Sequence, residues 1–231
     1  MSVIKDGFAV SRGLFNQNEI TEIENAIKAI HLIGDDDKRT DNPCPDAVRK
    51  YPQLLLKWVK HPKLLYFIRS ELQADIKRSE LQTDIKFLQH VDAHANYYQA
   101  AAGWHRDSAC RSPICQGEDW DEGVHPYRVT RVALYTRPNI LSIREGSHRI
   151  PGEDHRIHDI KTEPGDVIAF DPRIYHKGSI YHPKYSLFIA YGVPNEHSLR
   201  HYNFYLHKRP DLGYEEMSAD TKAQLGNLLL N

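Results

Sequence analysis

Three side chains in this sequence can converge on one ion. Trp104-His105-Arg106-Asp107 reads as a strand, and a strand sends successive side chains to opposite faces, so His105 and Asp107 point one way and Arg106 the other. An imidazole and a carboxylate two residues apart can grip a metal together. A third ligand must come from elsewhere in the sheet. The segment DVIAFDPRIYHKGS offers one, a strand and turn that end at His176 and are followed by small residues. Two histidines and one carboxylate on one face of an octahedral ion leave three positions open, the facial-triad arrangement of non-heme Fe(II) oxygenases. The chain holds 14 histidines; spacing rather than number selects these two.

The elements that must position these residues divide the chain in three. Residues 1–16 carry a short strand, FAVSRGLF, broken by Gly13. A helix follows from near Asn16–Asn18, with Ile20, Ile23, Ile27 and Ile30 at helical spacing. A second helical stretch covers about 47–70. Residues 69–86 repeat RSELQADIK as RSELQTDIK, a shift that places equivalent residues on opposite helix faces; it reads as a local duplication extending a helix end or a loop. From residue 87 short apolar or alternating runs appear between turn residues: KFLQHV, ANYYQA, YRVTRVALYT, ILSI, DVIAF and SLFIAYG. Glu163-Pro164-Gly165-Asp166 fits a type II turn. The expected organisation is one domain, 1–231, with a helical part at about 16–86, a β core at about 87–195 and a C-terminal extension at 196–231 that ends in a helix, TKAQLGNLLL. In RVTRVALYT, Val132 and Leu134 share a face that reads as packed core. Arg131, Ala133 and Tyr135 share the other, which either lines a cavity or forms an exposed barrel face.

Composition narrows the function. The chain has 231 residues and a net charge of -1, which argues against bulk nucleic-acid binding. No apolar run approaches the roughly 18 residues needed to span a bilayer, and MSVIKDGFAV lacks the layout of a signal peptide. Three cysteines, with no Cys-x-x-Cys at Cys110 and Cys115, point to a reducing compartment without a zinc site, hence to a cytoplasmic protein. His155 and His158 lack an evident third ligand, and His125, His182, His197 and His201 read as surface or hydrogen-bonded side chains near the cavity at most.

Several segments, in order over roughly 5–192, resemble the phytanoyl-CoA dioxygenase-like family of Fe(II)/2-oxoglutarate oxygenases. They are KDGFAVSRGLFNQNEI, GWHRDS, NILSIREGSHRIP, PGDVIAFDPRIYHKGS and KYSLFIAYG. The resemblance implies a mainly β fold with flanking helices, a double-stranded β-helix or jelly-roll barrel. It implies His105, Asp107 and His176 as ligands of Fe(II), with 2-oxoglutarate and O2 completing the coordination, and a structural role for His148. The family carries an Arg about ten or eleven residues after the distal histidine; this chain has none there, and Lys184-Tyr185-Ser186 begins eight residues after His176. Lys184 and Ser186 share a strand face, so an ammonium and a hydroxyl can meet one carboxylate; Lys keeps the charge and loses the fork of Arg. Arg131 joins them as a cofactor-facing candidate. The implied reaction is oxidative decarboxylation of 2-oxoglutarate to succinate and CO2 with hydroxylation of a small-molecule substrate. The loops 34–46 and 108–124 are candidate lids, the second carrying the acidic run CQGEDWDEG. No basic cluster marks a CoA site, so a small polar metabolite is expected. Two further readings stay open: an iron enzyme on the same barrel that does not use 2-oxoglutarate, and a non-catalytic jelly roll that binds a small molecule or a protein.

Overall fold

The structure, a computed structural model, describes residues 1–33, 44, 47–73, 86–96, 103–107, 129–149, 154–178 and 184–192, with backbone alone for residues 49, 72, 73, 86–96 and 184. Among the described residues five helices precede most of the sheet: α1 (Val3–Asp6), α2 (Gln17–His31), α3 (Ala47–Lys50), α4 (Pro52–Val59) and α5 (Pro62–Gln73). The strands are β1 (Phe8–Ser11), β2 (Lys86–Asn96), β3 (Val129–Tyr135), β4 (Asn139–Arg144), β5 (Ile157–Thr162), β6 (Val167–Phe170), β7 (His176–Gly178) and β8 (Lys184–Gly192). They form a five-stranded sheet, β1-β6-β3-β8-β2, and a three-stranded sheet, β5-β4-β7, with antiparallel pairing throughout. This is the expected mainly β jelly roll with helices on one side. Among the described residues no helix is long and apolar enough to cross a membrane.

Local chemistry explains the elements. α2 begins at a capping box: the Asn16 side chain accepts from the backbone of Asn18 and Glu19 while Glu19 accepts from the Asn16 backbone. Its isoleucines Ile20, Ile23, Ile27 and Ile30 are all buried, as their spacing predicts. The helical stretch expected over about 47–70 is made of three helices. Pro52 and Pro62 each open a new one, because proline suits a first turn and breaks an interior. The 69–86 repeat enters α5 as far as Gln73, and its remainder up to residue 85 lies outside the described residues. The turn at 163–166 forms as expected: Gly165 has φ 97°, and the Asp166 N–H donates to the Glu163 carbonyl at 3.0 Å. Two elements were not expected, α1 and β5. The strand predicted over ANYYQA contributes only Ala95 and Asn96, as the end of β2; the rest lies outside the described residues, as do the lid loops (Cys44 excepted) and the C-terminal extension.

The five-stranded sheet has a different partner on each face. Toward the helices, Val132, Leu134, Leu187, Ile189 and Tyr191 pack with Ile23, Ile27, Leu55, Trp58, Leu64 and Ile68. Each such aliphatic side chain contributes about 1.5–3 kcal/mol by leaving water. Tyr191 also donates its buried hydroxyl to the Val59 carbonyl at 2.7 Å, satisfying the end of α4. Toward the second sheet, Phe8, Ala133, Tyr135, Ile168 and Phe170 meet Leu141, Ile143, Ile160 and Ile174. The N-terminal corner is locked into this layer at Gly7, whose φ is 89°. A Cβ there would lie 2.4 Å from Ile174 Cδ1 and 2.6 Å from His148 Nδ1. His148 donates from Nε2 to the Ile4 carbonyl at 3.0 Å, and burial holds its imidazole below the ordinary pKa, so it is a neutral brace.

Candidate metal centre

The turn between β6 and β7 sets the site. Asp171 N–H donates to the Gly7 carbonyl at 2.9 Å, and the buried Asp171 carboxylate binds Arg173 through both its backbone N–H at 2.8 Å and its guanidinium at 2.7 Å. A turn held this way presents two carbonyls. Pro172 O accepts the Asp107 N–H at 3.1 Å, and Ile174 O lies 3.1 Å from His176 Nδ1. Residues 103–107 run alongside β7 through one antiparallel bridge in which His105 and His176 exchange both backbone hydrogen bonds at 3.0 Å. The expected strand at 104–107 is thus a single bridge followed by a turn, but the alternation of faces holds. Arg106 projects away from its neighbours, with its guanidinium 3.8 Å from the Tyr175 ring centroid.

Directly opposed residues project to the same face, so the His105 and His176 rings lie side by side, 4.4 Å between centroids. Asp107 Oδ1 sits 3.6 Å from His105 Nε2 and 3.5 Å from His176 Nε2. Among the described residues this is the one group of three or more His, Cys, Asp and Glu side chains that converges, its ligand atoms all within 4.8 Å of one another. The other ring nitrogens fix the tautomers. His105 Nδ1 lies 2.8 Å from the Gly103 carbonyl and His176 Nδ1 meets that of Ile174. A carbonyl only accepts, so each Nδ1 carries the proton and each Nε2 keeps its lone pair toward the cluster. His105 is the exposed edge of the group, at 37% side-chain exposure against 16% for Asp107 and 5% for His176.

The interior face of the large sheet supplies the surroundings. Arg131, Ala133 and Tyr135 face the space between the sheets rather than solvent, while Val132 and Leu134 face the helices. Arg131 stands between Phe170 and Ala190 in register. Its Nε is 3.0 Å from Asp107 Oδ2 and its Cζ lies 5.3 Å from the Phe188 ring centroid. Burial pushes the Asp107 pKa up, but the Arg131 charge, then His176 and the contacts from both imidazoles, outweigh it. The carboxyl is held well below the usual range and stays an anion. Burial and the Asp107 charge push the Tyr135 phenol above its ordinary range, so it is a neutral hydroxyl. Ser186 pairs with Tyr135 across β3 and β8; it is fully buried, and its Oγ has no hydrogen-bond partner among the described residues. Lys184 opens β8 opposite Asn96, two residues before Ser186, and its side chain lies outside the described residues. His158, one of the histidines given no metal role, binds Glu145 at 2.7 Å. The Arg131–Asp107 pair was not anticipated from the sequence.

No protein-family model and no curated protein sequence matches the chain. Solved structures do. The chain is similar to the non-heme α-ketoglutarate-dependent epimerase SnoN of nogalamycin biosynthesis (TM-score 0.61, 12% identity, covering 83% of this chain and 80% of that one). It is similar to HygX from Streptomyces hygroscopicus with nickel and 2-oxoglutarate bound (TM-score 0.61, 12% identity, 83% and 84%). It is also similar to EctD from S. alaskensis with 2-oxoglutarate and 5-hydroxyectoine (TM-score 0.59, 16% identity, 83% and 74%). At these identities the likeness establishes the fold, the jelly roll on which such enzymes are built.

Proposed function

We propose that the protein is an Fe(II)- and 2-oxoglutarate-dependent oxygenase acting on a small molecule, with His105, Asp107 and His176 as the metal ligands. The observation that carries the reading is the convergence of His105 Nε2, Asp107 Oδ1 and His176 Nε2, with both histidine tautomers set by backbone carbonyls. That donor set suits a divalent first-row metal and leaves open positions for exchange. Bound there, iron supplies the redox and O2 chemistry that side chains lack. The chain's own groups do the rest. Asp107 stays ionised, and the apolar layer of Phe170, Phe188 and Ile143 limits water.

The orphaned Ser186 hydroxyl, buried and without a partner among the described residues, fits a ligand carboxylate. With Lys184 two residues before it on the same strand face, it forms the proposed 2-oxoglutarate anchor. The sequence resemblance to the phytanoyl-CoA dioxygenase-like family supports the same assignment. Because similar structures include an epimerase, whose product is at the same oxidation level as its substrate, the reading names no particular product and leaves the outcome for the second substrate open. A second reading, an iron enzyme that does not use 2-oxoglutarate, is favoured by the lack of an Arg about ten or eleven residues after His176, where that family carries one.

The test is succinate release. Purified protein supplied with Fe(II), 2-oxoglutarate and O2 is expected to form succinate slowly even without its second substrate, and His176→Ala and Asp107→Ala to abolish it. Iron binding without succinate, and without an optical change on anaerobic 2-oxoglutarate addition, would select the second reading. Full activity in either variant would refute the ligand assignment.

A further inference from the structure

A guanidinium reaches the point where the three proposed ligands meet, and the ligands alone do not account for it. We infer that Arg131 is a positioning residue that confines Asp107 to metal ligation through one oxygen, an inference that rests on the metal reading above. The two carboxylate oxygens have separate partners. Oδ1 is the one that faces both imidazoles, at 3.6 and 3.5 Å. Oδ2 is the one paired with Arg131 Nε at 3.0 Å.

Arg131 is built to stay where it is. It sits on β3, the middle strand of five, with Phe170 and Ala190 beside it in register. Its side chain is 8% exposed, and its guanidinium lies over the Phe188 ring. The backbone end of Asp107 is held as well, by the Pro172 carbonyl. The carboxylate is therefore held by a hydrogen bond at its main chain and by a charge contact at Oδ2, while Oδ1 faces the two imidazoles.

The consequence is a matter of counting. A carboxylate can bind a cation through one oxygen or both. Two imidazoles and a single-oxygen carboxylate leave three of six octahedral positions open. A second carboxylate oxygen would leave two. A 2-oxo acid that chelates through two atoms, together with one further ligand, needs three. Arg131 keeps that third position open by occupying the oxygen that would otherwise take it.

Co(II) is the probe, used on the full chain without O2, with its visible spectrum and affinity measured alongside the metal-minus-apo infrared difference spectrum. The wild type is expected to bind Co(II) with the wide carboxylate splitting of one-oxygen ligation. Arg131→Met is expected to retain Co(II) but to show a narrowed splitting, an altered visible spectrum and a 2-oxoglutarate affinity lower by about tenfold or more, the scale of losses when a ligand's outer partner is removed. Arg131→Lys, which keeps the charge, should restore much of the wild-type splitting. A residue that merely packs would lower the melting temperature and leave the splitting alone. Wild-type splitting and wild-type 2-oxoglutarate affinity in Arg131→Met would overturn the proposal. Should that variant not fold, the wild type decides by itself, because a narrow splitting there is equally fatal. A wild type that binds no Co(II) would instead remove the metal reading, and this proposal with it.

Discussion

Gly7→Ala should damage the fold and the proposed metal centre together. Gly7 joins α1 to β1 at φ 89°, a conformation that costs a residue with a Cβ about 1–2 kcal/mol. The added methyl would also stand 2.4 Å from Ile174 Cδ1, in the packed layer between the sheets, and 2.6 Å from Nδ1 of the buried His148. Overpacking of that kind costs about 1–3 kcal/mol, for a total of about 2–5 kcal/mol. In a domain of this size each kcal/mol moves the melting temperature by about 2–4 °C, so a fall of roughly 4–20 °C is expected. Gly13→Ala is the control. Gly13 also has positive φ, 59°, but nothing lies within 4 Å of its Cβ, so it should show the conformational cost alone. Because the Ile174 carbonyl meets His176 Nδ1, displacement of Ile174 should also weaken Co(II) binding in Gly7→Ala by about tenfold and leave Gly13→Ala unaffected. Thermal unfolding by circular dichroism and Co(II) titration measure the two effects. Equal melting temperatures for the two variants would refute the claim that this corner is packed on the ligand turn.

Glu24 gives a pH-dependent test. Burial pushes its pKa up, but Arg137 at 2.8 Å, the Thr136 hydroxyl at 2.8 Å and Lys28 at 3.3 Å hold it below the ordinary glutamate value of 4.5. A carboxyl lowered on folding adds stability that is complete above that ordinary value and is lost as pH falls through the lower, folded one. Glu24→Gln should therefore cost about 1–3 kcal/mol near pH 7 in urea unfolding, and the gap should narrow below pH 4.5; a constant gap would show that charge is not involved. Ser186→Ala should leave the ligand-free protein as stable or up to about 1 kcal/mol more so, since it removes an unpaired buried hydroxyl, while raising the KM for 2-oxoglutarate in the succinate assay. A destabilised variant with unchanged KM would return Ser186 to a purely structural role.

The parts of the fold that sequence revealed are those governed by nearby residues. The isoleucines of α2, its start near Asn16, the turn at Pro164-Gly165 and the shared face of His105 and Asp107 each depend on a few consecutive positions. β5 escaped because Ile157–Thr162 is mostly charged or polar. It is an edge strand that buries only Ile160 and Thr162, so it lacks the apolar run that marks an interior strand. The break of 47–70 into α3, α4 and α5 was written in Pro52 and Pro62, and the apolar periodicity across them hid it. The Arg131–Asp107 pair had no local signal. It exists only because β3 runs between β6 and β8 in one register while the Pro172 carbonyl fixes the segment carrying Asp107.

The single bridge between His105 and His176 makes the centre digital rather than graded. A slip of one residue along β7 would turn Trp104 or Arg106 toward the cluster and send His105 and Asp107 to the outer face together. No intermediate alignment leaves two of the proposed ligands in place. A preparation containing misaligned molecules would therefore titrate as a mixture of competent and blank chains, with sub-stoichiometric metal at undiminished affinity. Damage to a ligand's surroundings would instead shift the affinity of every molecule.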